Sequence, residues 1–262
     1  MTNKSTIRKE IDDLQSEFGD DLWVVKHQVE FLVQRTSARV NNFSEIYFEI
    51  AQDSFSDYLM AENDRNLKDD SPENFENYLV ARDKFNQAAI KTIVFSAMTC
   101  EAAIYDIAAI HLSDDYARGV LDRLDPVGKW LVAPRLICGR SIRERGPAVN
   151  ALRSLFSARN ELVHAKSFSG LGLNDPGKFE KVNALANRQS QKILSGVVPA
   201  YQAIVLLSLE LERLLGTSSS GFPRFTDLEH SSAYEKASKS VRRVILRCKE
   251  VDEKSMVDKL GD

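Results

Sequence analysis

The sequence predicts an all-α helical bundle with extra helices at both ends, on three observations. Glycine and proline are scarce, twelve and seven in 262 residues, too few for a turn-rich β architecture. Apolar residues recur at three- and four-residue intervals over stretches far longer than a strand. No internal repeat and no sustained heptad run is present, so the pattern is that of a globular bundle rather than a solenoid or a coiled coil.

Taken in order, Leu22, Val25, Val29, Leu32 and Val33 recur at helical intervals, although Trp23–Val25 and Val29–Val33 would also serve as strands. Ile46, Ile50, Phe55, Tyr58 and Leu59 suggest a second helix. The polar, acidic stretch from Glu62 to Glu73 reads as a linker, with Ser71-Pro72 opening the next helix. From Pro72 to Leu112 one long pattern carries the stripe Ile90, Val94, Ala97, Ile104 and Ala108, with Glu101 set inside it. Ser113 offers a cap for a short helix around Tyr116–Leu124, and Asp125-Pro126 breaks it. Pro147 opens a helix reaching about Lys166, and a glycine-containing loop follows. A second long helix covers about Phe179 to Leu215, with Pro199 its expected kink. A charged helix spans about Ser232 to Val257. The expected division is an N-terminal helical addition over 1–70, a helical core over 71–216, and a linker with a charged helix over 217–262.

Cys100, Cys138 and Cys248 show no paired spacing and no histidine at metal-site intervals, which reads as packing or surface thiols in a reducing compartment. The charged N-terminus lacks a signal-peptide core, and no apolar run approaches the ~20 residues of a membrane span. The expectation is a cytoplasmic protein without membrane contact. A net charge of −3 argues against nucleic acid, but its distribution argues otherwise. From Lys129 to Lys166 eight cations stand against Glu144 and Glu161 alone. A basic segment of this kind is the footprint of phosphate binding, and Arg140, Arg143, Arg145, Arg153 and Lys166 are its candidate RNA contacts.

That segment leads into Arg159-Asn160-Glu161-Leu162-Val163-His164. Leu152, Leu155, Phe156, Leu162 and Val163 mark one helical face, and at about 100° per residue Arg159 falls in its middle. A guanidinium aimed into an apolar face needs a partner or a ligand, because burying it unpaired is costly. Asn160 and His164, four residues apart, share a face. Spacing alone says little: chance places about one Arg/His pair at this interval in such a chain, and Arg224/His230 is a second instance. That pair follows Gly221-Phe222-Pro223 and straddles a loop, so nothing fixes its geometry.

The helical order over about 78–216 and the Arg159, Asn160, His164 pattern together resemble the HEPN domain (higher eukaryotes and prokaryotes nucleotide-binding), a helical bundle. The resemblance implies a metal-independent endoribonuclease with no cofactor, working as a homodimer whose two motifs face each other across a composite cleft. It also implies a toxin or anti-phage role with an antitoxin or effector-complex partner. Some members carry a nucleotide-accepting tyrosine two residues beyond the histidine; Lys166 stands there instead.

RNA can be cut by its own 2′-hydroxyl attacking the adjacent phosphorus, which needs proton transfer and charge stabilisation. His164 is the one motif group that exchanges a proton near neutrality. Arg159 would hold the phosphate, Asn160 would orient substrate or imidazole, and Glu101 would hold Arg159 between turnovers. No carboxylate cluster or Cys/His pair suggests a metal site. Two other readings stay open: a non-catalytic HEPN-like module binding a protein partner or a nucleotide, and a helical scaffold in which Arg159–Glu101 is a buried ion pair and His164 a helix-end residue.

Overall fold

Eight α-helices and two single 3₁₀ turns make up the described residues, with no strand among them. The structure, a computed structural model, describes residues 43–164, 176–216 and 221–257. The expectations on Leu22–Val33, on Lys166 and on the loop after it lie outside those residues. The helices are α1 (Phe43–Ala61), α2 (Phe75–His111), α3 (Asp114–Gly119), α4 (Pro126–Cys138), α5 (Pro147–Val163), α6 (Pro176–Leu215), α7 (Ser232–Lys236) and α8 (Lys239–Val257).

Boundaries follow local chemistry. The Ser113 hydroxyl accepts the Tyr116 amide at 3.2 Å and starts α3. The Asp125 carboxylate accepts the Gly128 amide at 3.0 Å, with Pro126 in the first turn of α4. Gly139, at φ 74°, ends α4 in the left-handed region that glycine adopts without strain. α6 runs unbroken through Pro199. The expected charged C-terminal helix is two helices, parted at Ala237–Ser238.

The two longest helices, α2 and α6, form the centre. α1 lies along α2, α5 along α6, and α8 touches α6 and α1. Phe55 stacks on Tyr201 with ring centroids 4.6 Å apart, and the Tyr201 hydroxyl donates to the Gln52 side chain at 2.7 Å. Each such buried ring contributes about 2–3 kcal/mol of burial. α1 therefore shares the core, and the acidic stretch 62–73 is a bend within one packed unit, which spans Asn42–Asp262. The expected domain boundary near residue 70 is corrected accordingly. The chain after residue 217 is likewise no appendage: Phe222 and Phe225 are buried, and Phe222 sits 5.5 Å from the Trp130 ring.

The stripe of α2 also sits differently from expectation. Ala97, Ile104 and Ala108 are buried, but Ile90 is 43% exposed. The packed face runs instead through Ala88, Ala89, Thr92, Ile93 and Ser96, small residues that admit a neighbouring helix closely. The Thr92 and Thr99 hydroxyls donate to carbonyls four residues back, at 2.8 and 2.7 Å, so their burial leaves no orphan donor. α2 and α6 are long and apolar enough, by length and composition alone, to cross a bilayer, which corrects the expectation that no stretch comes close. Their most apolar stretches are 61% and 67% buried within the fold, and a central core position accounts for their composition.

Candidate active site

α5 presents two different faces. Ala148, Leu152 and Leu155 pack fully into the core, with Ala151, Phe156 and Ala158 beside them. At about 100° per residue Arg159 continues that inward face, while Asn160 and His164 lie on the opposite, exposed side. Arg159 is half-buried because the helix end leaves the bundle there; Val163 is 58% exposed. The His164 amide donates to the Asn160 carbonyl at 3.0 Å, so helical registry holds to the last residue and fixes Asn160 against His164.

The guanidinium of Arg159 donates from Nη1 to the Asn160 Oδ1 at 3.3 Å. Among the described residues it meets no carboxylate, and the His164 imidazole has no partner. Glu101, half-buried on α2, forms no ion pair with Arg159. The expected Glu101 clamp is absent, and so is the buried pair that would have made Arg159 a structural cation. A guanidinium carries five donors, and this one makes a single long bond among the described residues.

The pair Arg224/His230 provides the contrast. Arg224 faces the Glu212 carboxylate at 3.8 Å, and His230 Nδ1 lies 2.9 Å from Asp227. Both of its groups have acidic neighbours; Arg159 and His164 of the α5 motif have none among the described residues.

The basic segment divides by the same test. Arg143 donates through Nε to Glu210 at 2.7 Å, through Nη1 to the Ser255 carbonyl and hydroxyl at 2.8 Å, and through Nη2 to Asp252 at 3.0 Å. Arg213 completes the cluster, 3.1 Å from Glu210 and bonded to Asp252. Arg143 is thus corrected from a phosphate contact to the tie between the start of α5, α6 and α8. Burial first, and then the Glu210 carboxylate, raise the Asp252 carboxyl above its ordinary range against the pull of the two arginines. Arg140 is exposed and donates to the Leu214 carbonyl at 2.8 Å, satisfying an end carbonyl of α6. Arg145 is exposed, with no partner among the described residues. Arg153 is exposed, donates to the Glu144 carbonyl at 3.1 Å and has the exposed Glu144 carboxylate 3.8 Å away, a pair weak enough to yield to a phosphate.

Sequence reasoning missed an open cleft of about 400 Å³ between α5 and α6, lined by Arg153, Ser154, Ser157, Glu161, Lys192 and Ser195 over a floor of Ala158 and Gly196. Lys192 Nζ lies 2.8 Å from Glu161. A Cβ on Gly196 would stand 2.4 Å from the Ala158 Cβ, so glycine is what lets the helices meet at the floor. The signal available was the small residues Ser154, Ser157 and Ala158 on α5 and Ser195 and Gly196 on α6, which hydrophobic periodicity does not register.

Comparisons with protein-family models, with curated proteins and with solved structures find no match. The site must be read from its own chemistry. The buried thiols take no part in it: burial raises Cys100 well above its ordinary range and pushes Cys248 up to about 12, leaving both as inert packing groups.

Proposed function

We propose that the chain is a metal-independent endoribonuclease of HEPN type that cuts RNA as a homodimer in the cytoplasm. The observation that carries this reading is the state of the α5 motif: a half-buried Arg159 that meets no carboxylate among the described residues, bonded to Asn160, beside an exposed His164 in helical registry with Asn160. A guanidinium with unspent donors next to a titratable imidazole is suited to phosphoryl chemistry.

His164 acts as general base on the 2′-hydroxyl or as general acid on the leaving 5′-oxygen. Arg159 binds the non-bridging oxygens and stabilises their growing charge. Asn160 holds the guanidinium by its Oδ1. Within one protomer Arg159 and His164 leave α5 on different sides, about 140° apart around its axis. A second copy bringing its own motif to the same phosphate supplies the missing convergence, which supports the dimer. The toxin or anti-phage role, and with it an antitoxin or effector partner, rests on the HEPN resemblance alone.

The test is incubation of purified protein with mixed RNA in excess chelator. The parent leaves 2′,3′-cyclic phosphate ends; Arg159→Ala and His164→Ala each lose about 10²-fold or more. Equal background cutting by parent and double variant would sink the proposal.

A further inference from the structure

Beside the motif, α5 carries a continuous exposed row: Arg153, Ser157, Asn160 and His164, spaced four, three and four residues apart and all on one face. Across the cleft, α6 carries Arg188, Lys192 and Ser195 at the same repeat, all exposed. The helices run antiparallel here, because Ala158 meets Gly196 and Glu161 meets Lys192. Arg153 and Ser157 of the first row and Lys192 and Ser195 of the second line the cleft, and the α5 row continues past it to the imidazole. From Arg153 to His164 it spans about 16 Å of helix axis.

We propose that this cleft is a subsite for a nucleotide flanking the cleaved linkage of an RNA strand. Arg153 and Lys192 take its phosphate, and the Ser154, Ser157 and Ser195 hydroxyls line the path of the sugar. The inference rests on the nuclease reading of the same helix and adds to it the direction of the strand's approach. Three features fit. The volume, about 400 Å³, lies in the range of small-ligand sites. The Ser157 hydroxyl has no partner among the described residues, whereas Ser154 and Ser195 donate to their own helix carbonyls. Gly196 puts no side chain into the floor. Glu161 opposes phosphate and holds Lys192 at 2.8 Å. That pair is 38% and 52% exposed, so it is weakly held, and a phosphate can take Lys192 from it. Glu161 thereby tunes affinity downwards.

The experiment measures binding apart from cutting. A fluorescein-labelled oligouridylate of about a dozen nucleotides is titrated by anisotropy into full-length protein carrying Arg159→Ala and His164→Ala, so the probe survives. On that background Arg153→Gln and Lys192→Gln each weaken binding about three- to tenfold and lower the salt dependence by about one. Glu161→Gln tightens it. Arg247→Gln, an exposed cation on α8 paired with Glu250, leaves it within about twofold. Unchanged binding in both cleft variants, an equal loss in Arg247→Gln, or no probe binding at all overturns the cleft, whatever the cleavage assay shows. Displacement of the probe by uridine monophosphate as readily as by unlabelled oligomer overturns the strand assignment. If the cleft variants bind weakly while the parent leaves RNA uncut, the nuclease reading falls and the subsite stands.

Discussion

Replacing Arg143 with methionine removes one of the two cations from a nearly buried four-charge cluster. The Glu210 and Asp252 side chains are 4% and 8% exposed, and Arg143 itself 15%. Taking one partner from a buried pair costs about 3–5 kcal/mol, because the remaining charge is left desolvated. Arg213 still reaches both carboxylates, which brings the expectation to about 2–4 kcal/mol. At about 2–4 °C per kcal/mol for a domain of this size, Tm falls by about 4–16 °C. Denaturant unfolding followed by circular dichroism gives the free energy, and a thermal melt gives the shift. The double variant Arg143→Met/Glu210→Met should lose less than the two single losses added together, since the stranded carboxylate is gone. A change below about 0.5 kcal/mol, the size of an ordinary surface substitution, would refute the assignment of Arg143 as a structural tie and return it to the candidate phosphate contacts.

Three further outcomes follow from the packing. Gly196→Ala places a methyl 2.4 Å from Ala158 and forces the helices apart at a cost of about 1–3 kcal/mol; Ala158→Gly on that background should recover part of the loss, measured by the same unfolding. Trp130 donates from Nε1 to the Cys100 carbonyl at 3.2 Å in a fully buried site, so Trp130→Phe should cost about 1–3 kcal/mol in lost bonding and packing. Asp252 has a raised carboxyl, so the folded chain holds that proton more tightly than the unfolded one. Its contribution to stability therefore grows as pH falls through the raised value and levels off below the ordinary carboxylate range. Measured against Asp252→Asn, the parent should gain relative stability on acidification; a relative loss would reverse the assigned direction.

Most helices were legible because their signals are local. Pro147 at the start of α5 and Ser113 before α3 act within one turn, whereas Asp125-Pro126, read as a break, also opens α4, a helix the sequence reading did not expect. Long-range partners left no such trace. Arg143 read as part of a basic run because its carboxylates stand 67 and 109 residues further along the chain. Residues 62–73 read as a linker because acidity and polarity mark both a linker and a bend, and only the burial of Phe48, Phe55 and Tyr58 separates them. The cleft was invisible because Ser157, Ser195 and Gly196 contribute little to an apolar periodicity.

Arg159 stands between these cases. The sequence placed it on the apolar face of its helix, and the structure keeps it there, half-buried. A cation in that position is ordinarily stabilised by a carboxylate, as Arg143 is by Glu210 and Asp252. Among the described residues Arg159 has the Asn160 amide oxygen at 3.3 Å and no carboxylate. Packing does not explain the residue, since a leucine would fill the same face without the cost of desolvating a charge. On the nuclease reading proposed above, the missing negative charge is brought by the ligand, the phosphate of an RNA strand entering beside His164. The same logic makes Arg159→Leu informative: it should preserve or raise Tm while abolishing RNA cleavage, and a loss of several kcal/mol in stability would instead show that the guanidinium is structural.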